Sequence, residues 1–220
     1  MHLHEVQPKA APMVDFSQFD PTAAARLANA ELTRITDPRR RQILINFRDH
    51  ALAECMGDYD ALMATCSKKR QNYVVHSDSS NDFSAHQPQS YDELLPHYKA
   101  LIDLNMYVIH TDIKKLTVGD DELFIDVSHH QILPGDIAVN LYGIAEADPQ
   151  ATYEMFARIW IVFVFDEDGL GCGEHAFSGS TTIDNLRRLA PEEIPAEFSR
   201  GPTTVEAFFA ANPDLDWPAE

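Results

Sequence analysis

Hydrophobic and polar positions follow two different periods along this chain. Up to about residue 104 the apolar residues recur every three or four positions, and beyond it they alternate with polar ones. The first half therefore predicts helices and the second half strands. Leu44, Phe47, Ala51 and Cys55 form one apolar stripe on a long helix opened by Asp37-Pro38. The aspartate caps free amides there, and the proline fits the first turn. Asp20-Pro21 repeats the device and predicts a shorter helix through about Ile35. Gly57 interrupts the long helix, and Asp58 caps a second piece carrying Leu62, Met63 and Cys66. Tyr73-Val74-Val75-His76 is a strand candidate, followed over 77–89 by a loop rich in Ser, Asp, Asn and Gln. Ser90 and Glu93 match a capping box for a helix with Leu94, Tyr98, Leu101 and Leu104, where Pro96 predicts a kink or a later start.

The alternating half predicts strands over 107–118 and 122–133, joined at Val118-Gly119-Asp120-Asp121. A longer strand covers 152–166. Asp168-Gly169 then supplies a hairpin turn into a returning strand from Cys172 to Ser178. Helices followed by an antiparallel meander place the chain in the α+β class. The segments expected are an arm and short helix over 1–37, a main domain over 38–184, and an extension over 185–220. That extension contains five prolines, and Phe208, Phe209 and Trp217 are among its apolar residues. It is expected either to close a pocket mouth or to pack on a partner subunit.

Composition narrows the partners. The chain has 220 residues, 45% apolar and 24% charged, enough for a sizeable core. Its 17 basic against 35 acidic residues give a net charge of −18, which argues against nucleic acid as a partner. The longest apolar run, Ile159 to Phe165, is far short of a membrane span. The first residues lack a basic region followed by an apolar core, so no secretory signal is expected. Cys55, Cys66 and Cys172 show no metal spacing and read as reduced thiols of a cytoplasmic protein. Gly169-Leu170-Gly171-Cys172-Gly173 is glycine-dense but lies in a hairpin, and no Gly-x-Ser-x-Gly elbow occurs. His2 and His4 sit in the arm. No cofactor and no dedicated metal site are expected.

The element order resembles the nuclear transport factor 2-like superfamily, in its SnoaL-like branch related to polyketide cyclases and ketosteroid isomerases. Ala53-Glu54-Cys55-Met56-Gly57-Asp58-Tyr59-Asp60-Ala61-Leu62 looks like the family's helix and Gly-Asp-x-Asp entry, and Tyr73 to His76 like its first strand. Tyr91 to Leu104 looks like the following helix, and Trp160 to Gly169 like its penultimate strand and turn. The resemblance covers about residues 38–180. It implies a curved antiparallel sheet wrapped around N-terminal helices as an open cone, an apolar pocket inside, and a homodimer formed through the sheet. Members include isomerases, cyclases, dehydratases and epoxide hydrolases, and others only bind ligands or proteins, so the site has to select the chemistry.

Such enzymes need a proton-transfer group held in an apolar cavity. In the alignment that the resemblance implies, His50 takes the place of a tyrosine that bonds substrate oxygen; its alternative is a boundary histidine. Cys55 takes the place of a catalytic aspartate, so that dyad is missing and Cys55 reads as a small core residue. Ser77 falls at the isomerase base position, and a shift of one residue would turn His76 or Asp78 inward. His76 and Asp78, two apart, share a strand face and could act as base and orienter; otherwise they are a polar strand end. Leu123, Ile125 and Val127 set an apolar face that His129 continues, as a pocket residue or a satisfied core histidine, while Asp126, Ser128 and His130 face outward or into a dimer contact. Ile159, Ile161 and Phe163 should line the interior, and Ile161 stands where isomerases carry an acidic oxyanion donor. Glu174 is the inward candidate on the last strand, as an acid or base or as half of a salt bridge.

The sequence thus predicts a cofactor-independent isomerase or lyase acting on a small hydrophobic oxygenated molecule. His76, with Asp78, is the expected base; His50, His129 and Glu174 position or protonate substrate; Phe47, Cys55, Ile125, Ile161 and Phe163 form the wall. A non-catalytic small-ligand or protein-binding module on the same fold is the alternative. Epoxide hydrolysis would need an Asp–Arg–Asp group that the sequence does not assemble.

Overall fold

The structure is a computed structural model that describes residues 19–76, 86–215 and 217. Its first helices are α1 (Ala23–Leu32), α2 (Pro38–Met56) and α3 (Tyr59–Ala64). Local chemistry sets their ends. Asp37 accepts from the Arg40 amide with Pro38 at the first turn, and Gly57 closes α2 in the left-handed conformation at φ 69°. Asp58 then caps α3 through the Ala61 amide. Asp20 accepts from both the amide and the hydroxyl of Thr22, so α1 starts two residues later than Asp20-Pro21 suggests.

A short strand, β1 (Val74–His76), precedes α4 (Tyr91–Asp103), which runs through Pro96. Then come β2 (Ile109–Val118), β3 (Glu122–Pro134), α5 (Gly135–Asn140), β4 (Thr152–Phe165), β5 (Gly171–Ser178) and β6 (Leu186–Arg188), followed by α6 (Ala196–Arg200) and α7 (Val205–Ala211). The sheet is curved and unclosed, in the order β1-β5-β4-β3-β2. It is antiparallel except where β1 runs parallel to β5. One half of β4 pairs with β5 and the other half with β6. The four long strands match the alternating pattern; α5 and β6 are short elements that the pattern does not announce.

Register decides what faces the helices. Phe163 pairs with Leu123, Ile161 with Ile125, Ile159 with Val127, and Ala157 with His129, so these residues share the concave face. Ile43, Leu44 and Phe47 of α2 are buried against that face together with Leu123, Ile125 and Val127. Each such fully buried side chain stabilises by about 1.5–3 kcal/mol.

The convex face carries Asp126, clamped by two Arg158 nitrogens at 2.6 and 2.7 Å, and exposed Trp160 and Phe177. At its other end His130 and Glu154, both buried, bond at 2.8 Å, and Arg187 of β6 holds the second Glu154 oxygen at 2.8 Å. That end of the face is therefore covered rather than solvated. The C-terminal extension returns onto its own chain: buried Phe208 packs with Ala25, Leu52 and Met56, with Trp217 beside it. Among the described residues no helix is long and apolar enough to cross a membrane.

β5 approaches the segment before β1 so closely that only glycine fits at 173. A Cβ there would lie 2.2 Å from the Asn72 carbonyl oxygen. Gly173→Ala is expected to destabilise the protein by about 2–4 kcal/mol, as strain at a close backbone contact does, read as a lower midpoint in urea. An unchanged midpoint would show that this contact is loose.

Candidate active site

The concave face and the helices enclose a cavity of about 240 Å³. Phe47, Ile125, Ile159, Ile161 and Phe163 give it an apolar wall, and Ala24 of α1 reaches it too. The short helix expected outside the main domain is thus part of the cavity. Apolar burial of this kind weakens hydration of any charge inside and strengthens its electrostatic effects.

Polar groups gather on the wall formed by α2, α4, β5 and the segment before β1. Glu174 enters from β5, and its Oε1 accepts from the Tyr98 hydroxyl at 2.8 Å and the Tyr73 hydroxyl at 3.3 Å. The two tyrosine oxygens are 2.9 Å apart. Behind Tyr98 lies His50, whose Nε2 is 3.1 Å from the Tyr98 oxygen and 3.5 Å from Glu174 Oε1. The proton on the other imidazole nitrogen is fixed by chemistry. Thr65 donates its hydroxyl proton to the Leu62 carbonyl at 2.6 Å, so at 2.8 Å it accepts from His50 Nδ1. With Nε2 also protonated, His50 donates to Tyr98, Tyr98 donates to Glu174, and every proton has an acceptor.

Burial alone would disfavour an imidazolium at His50. The Cys66 sulfur and the Glu174 carboxylate more than offset it and hold the ring well above its ordinary pKa. Burial likewise pushes Glu174 up, but the His50 hydrogen bond and charge and the Tyr98 hydroxyl outweigh it, keeping this carboxyl below its ordinary value. The buried tyrosine hydroxyls stay neutral: desolvation and the Glu174 charge push Tyr73 and Tyr98 well above 10.

Glu54 is the contrasting carboxyl. It lines the cavity one residue before Cys55, and its side chain has no hydrogen-bond or ion-pair partner among the described residues. Desolvation raises its pKa to about 7, His50 partly opposes this, and the Glu174 charge adds to it. Two carboxyls in one cavity are thereby pushed apart, the arrangement that separates an ionised group from a proton-transfer group. Burial also lowers two cavity histidines to about 4. At His97 the Glu174 charge partly opposes burial and His86 adds a smaller lowering, while His129 is lowered further by His130 and His110.

The cavity brings together many of the residues expected from sequence. Phe47, Cys55, Ile125, Ile161, Phe163, His129 and Glu174 all line it. Burial holds the Cys55 thiol well above 9, so it stays protonated and unreactive. His50 stands behind the wall and reaches the cavity through Tyr98. His76 is placed elsewhere: it is exposed and stacks on Phe177 at 4.3 Å on the convex side, while its neighbour Val75 lines the cavity. The parallel register with β5 sets this, because Val75 pairs with Ala176 and His76 with Phe177. Asp78 and Ser77 lie outside the described residues.

Glu54, Tyr73, Tyr98 and His97 were not singled out by sequence. A helical stripe through Phe47 and Ala51 continues to position 54 as well as 55, which is the signal that would have found Glu54. Among the described residues no group of three His, Cys, Asp or Glu side chains is arranged to hold a metal ion.

Comparison with protein-family models and with curated proteins finds no match. Solved structures do resemble the chain. A SnoaL-like protein of the polyketide cyclase type from Shewanella putrefaciens CN-32 superposes with a TM-score of 0.50 at 10% identity, over 76% of this chain and 90% of that one. A second SnoaL-like protein of this type, from Jannaschia sp. CCS1, gives 0.46 at 13% identity over 66% and 90%. A Mycobacterium tuberculosis protein in complex with estradiol-17β-hemisuccinate gives 0.44 at 10% identity over 66% and 98%. The fold is that of the nuclear transport factor 2-like superfamily, with SnoaL-like proteins among its neighbours.

The raised Glu54 has a consequence for stability. Between pH 4.5 and about 7 the folded protein keeps a proton that the unfolded chain has released, so this carboxyl lowers stability as pH rises through that window. His97 and His129 act oppositely: between about 4 and 6.5 they are charged only when unfolded, and they lower stability as pH falls. Glu54→Gln is therefore expected to be more stabilising at about pH 8 than at about pH 4.5, by up to about 3 kcal/mol. Urea unfolding of both proteins at both values measures it. An equal difference at the two values would mean an ordinary surface-like carboxyl.

Proposed function

We propose that this protein is an enzyme that moves a proton on a small hydrophobic oxygenated molecule bound in the cavity, as in isomerisation, dehydration or cyclisation. One observation carries the reading: the Glu54 carboxyl stands unpartnered in a cavity whose wall is largely apolar, poised between its two protonation states near neutrality. A partnerless carboxyl in such a place lacks a structural use, and a pKa near the working pH suits a group that must both take and return a proton.

Glu54 takes a proton from carbon adjacent to a carbonyl and returns it elsewhere on the same molecule. In a dehydration it takes the proton from the carbon next to the one bearing a hydroxyl and delivers it to that hydroxyl, which leaves as water as the double bond forms. Tyr73 is the donor best placed to meet the oxygen on which charge develops, because its hydroxyl has two alternative acceptors and gives up little by turning to substrate. Tyr98 and Glu174, braced by His50, hold Tyr73 in position. His50 and Glu174 thus support the chemistry, and the role expected for His76 passes to Glu54. The fold's resemblance to SnoaL-like proteins is compatible with this reading and does not select the reaction.

A non-catalytic binding module also draws on an observation, since Glu174, Tyr98, Tyr73 and His50 satisfy one another without a ligand. Deuterium exchange separates the two. The protein is incubated in heavy water with hydrophobic cyclic ketones such as 2-decalone, and label entering the α-carbon is followed by mass spectrometry. The enzyme reading expects catalysed exchange that falls about 100-fold or more in Glu54→Gln, with binding of the ketone retained. Binding without exchange would favour the module. Exchange unaffected by Glu54→Gln would remove Glu54 from the mechanism.

A further inference from the structure

The cavity has a second polar region, remote from Glu174. His129 of β3 and Thr111 of β2 sit directly opposite each other in the sheet and both line the cavity. Neither side chain has a hydrogen-bond partner among the described residues. Across β3 and β4 the intervening surface is apolar: Ile125 and Val127 on β3 and Ile159 and Ile161 on β4 lie between the two polar regions, with Ser178 of β5 beside Ile159 at its edge. Buried polar groups are rarely left unsatisfied, and those facing an apolar cavity mark where a ligand's own polar atoms go.

Register measures the separation. Glu174 pairs with Phe163, which pairs with Leu123, and His129 lies six residues further along β3. That is about 20 Å of strand, shortened by the reach of the side chains and by the position of Glu54 part-way along α2. The charges at the two ends are also distinct. Among the described residues no lysine or arginine lines the cavity, and the histidine at the far end stays neutral under ordinary conditions. An anionic group would meet carboxyls at one end and no cation at the other.

We propose that the cavity takes an elongated, uncharged molecule with an oxygen function at each end, one presented to Glu54 and the other anchored by His129 and Thr111. This rests on Glu54 as the proton-transfer group and adds the shape and charge of what it acts upon. His129 is then a specificity-determining residue that holds the remote oxygen. A molecule lacking that oxygen covers the half-buried His129 and Thr111 without giving them partners, and one carrying a carboxylate there loses hydration for no compensating charge.

Binding alone tests this, without turnover. Tyrosine fluorescence or calorimetry is used to titrate the full-length protein with 1,6-hexanediol, 1,8-octanediol and 1,10-decanediol, with the n-alkanol of each length, and with decanedioate. At the best-fitting length the diol is expected to bind about tenfold more tightly than the alkanol, the worth of one buried hydrogen bond, and decanedioate more weakly than either. His129→Leu should abolish the preference, and His129→Gln, which keeps a neutral polar group, should preserve it and guard against a folding defect in the leucine variant. Glu54→Gln should keep the preference for a far-end hydroxyl. Equal affinity for diol and alkanol, absence of binding across the whole series, a preference that survives His129→Leu, or tight binding of decanedioate would each overturn the two-ended ligand. The Glu54 exchange experiment stands or falls separately.

Discussion

A carboxylate withdrawn from water is stable only where donors replace its hydration. Glu174 draws its donors from parts of the chain that are far apart in sequence: Tyr98 on α4, Tyr73 ahead of β1, and the charge of His50 on α2. Each donor has its own support. Thr65 fixes the His50 ring, and the parallel pairing of β1 with β5 keeps Tyr73 beside Glu174. Satisfying one carboxylate therefore ties the long helix, the second helical layer and the sheet to a single geometry. The same arrangement acts on Glu54. By staying ionised, Glu174 adds to the burial that keeps its neighbour half-protonated near neutrality. One carboxyl is made acidic so that the other can be made basic.

Much of this architecture is visible in the sequence because it rests on local rules. The caps at Asp37 and Asp58 and the left-handed Gly57 mark helix ends through backbone chemistry that belongs to a few adjacent residues. Strict alternation over ten or more positions makes the faces of β3 and β4 readable, which is how Ile125, His129, Ile161 and Phe163 come to be expected on the inside. β1 offers no such run. With three residues its facing is set by its partner β5, a long-range pairing that leaves no local trace, and His76 falls on the convex side in consequence.

The site was less legible for a related reason. An inward helical stripe is broad enough to include both position 54 and position 55, and attention to the missing carboxylate at Cys55 passes over the one immediately before it. Tyr98 fits the apolar face of α4 so well that its pattern is that of a core residue; its hydroxyl's role depends on Glu174, 76 residues away. Elements such as β6 and the returning tail are likewise held by distant contacts, with Arg187 reaching Glu154 and Phe208 reaching α1 and α2. These contacts support the cavity from outside without lining it.

The two polar regions of the cavity stand on different strands, Glu174 on β5 and His129 on β3, with β4 between them contributing only apolar side chains to the interior. Sites separated by such a distance and sharing no partners respond to substitution nearly independently. Under the proposed roles, changes on β2 and β3 alter what is recognised while the wall around Glu174 keeps its geometry, and changes around Glu54 alter reactivity without redrawing recognition. A fold divided in this way can diversify by drifting at one end of its cavity at a time, with β4 as the partition that keeps the two searches apart.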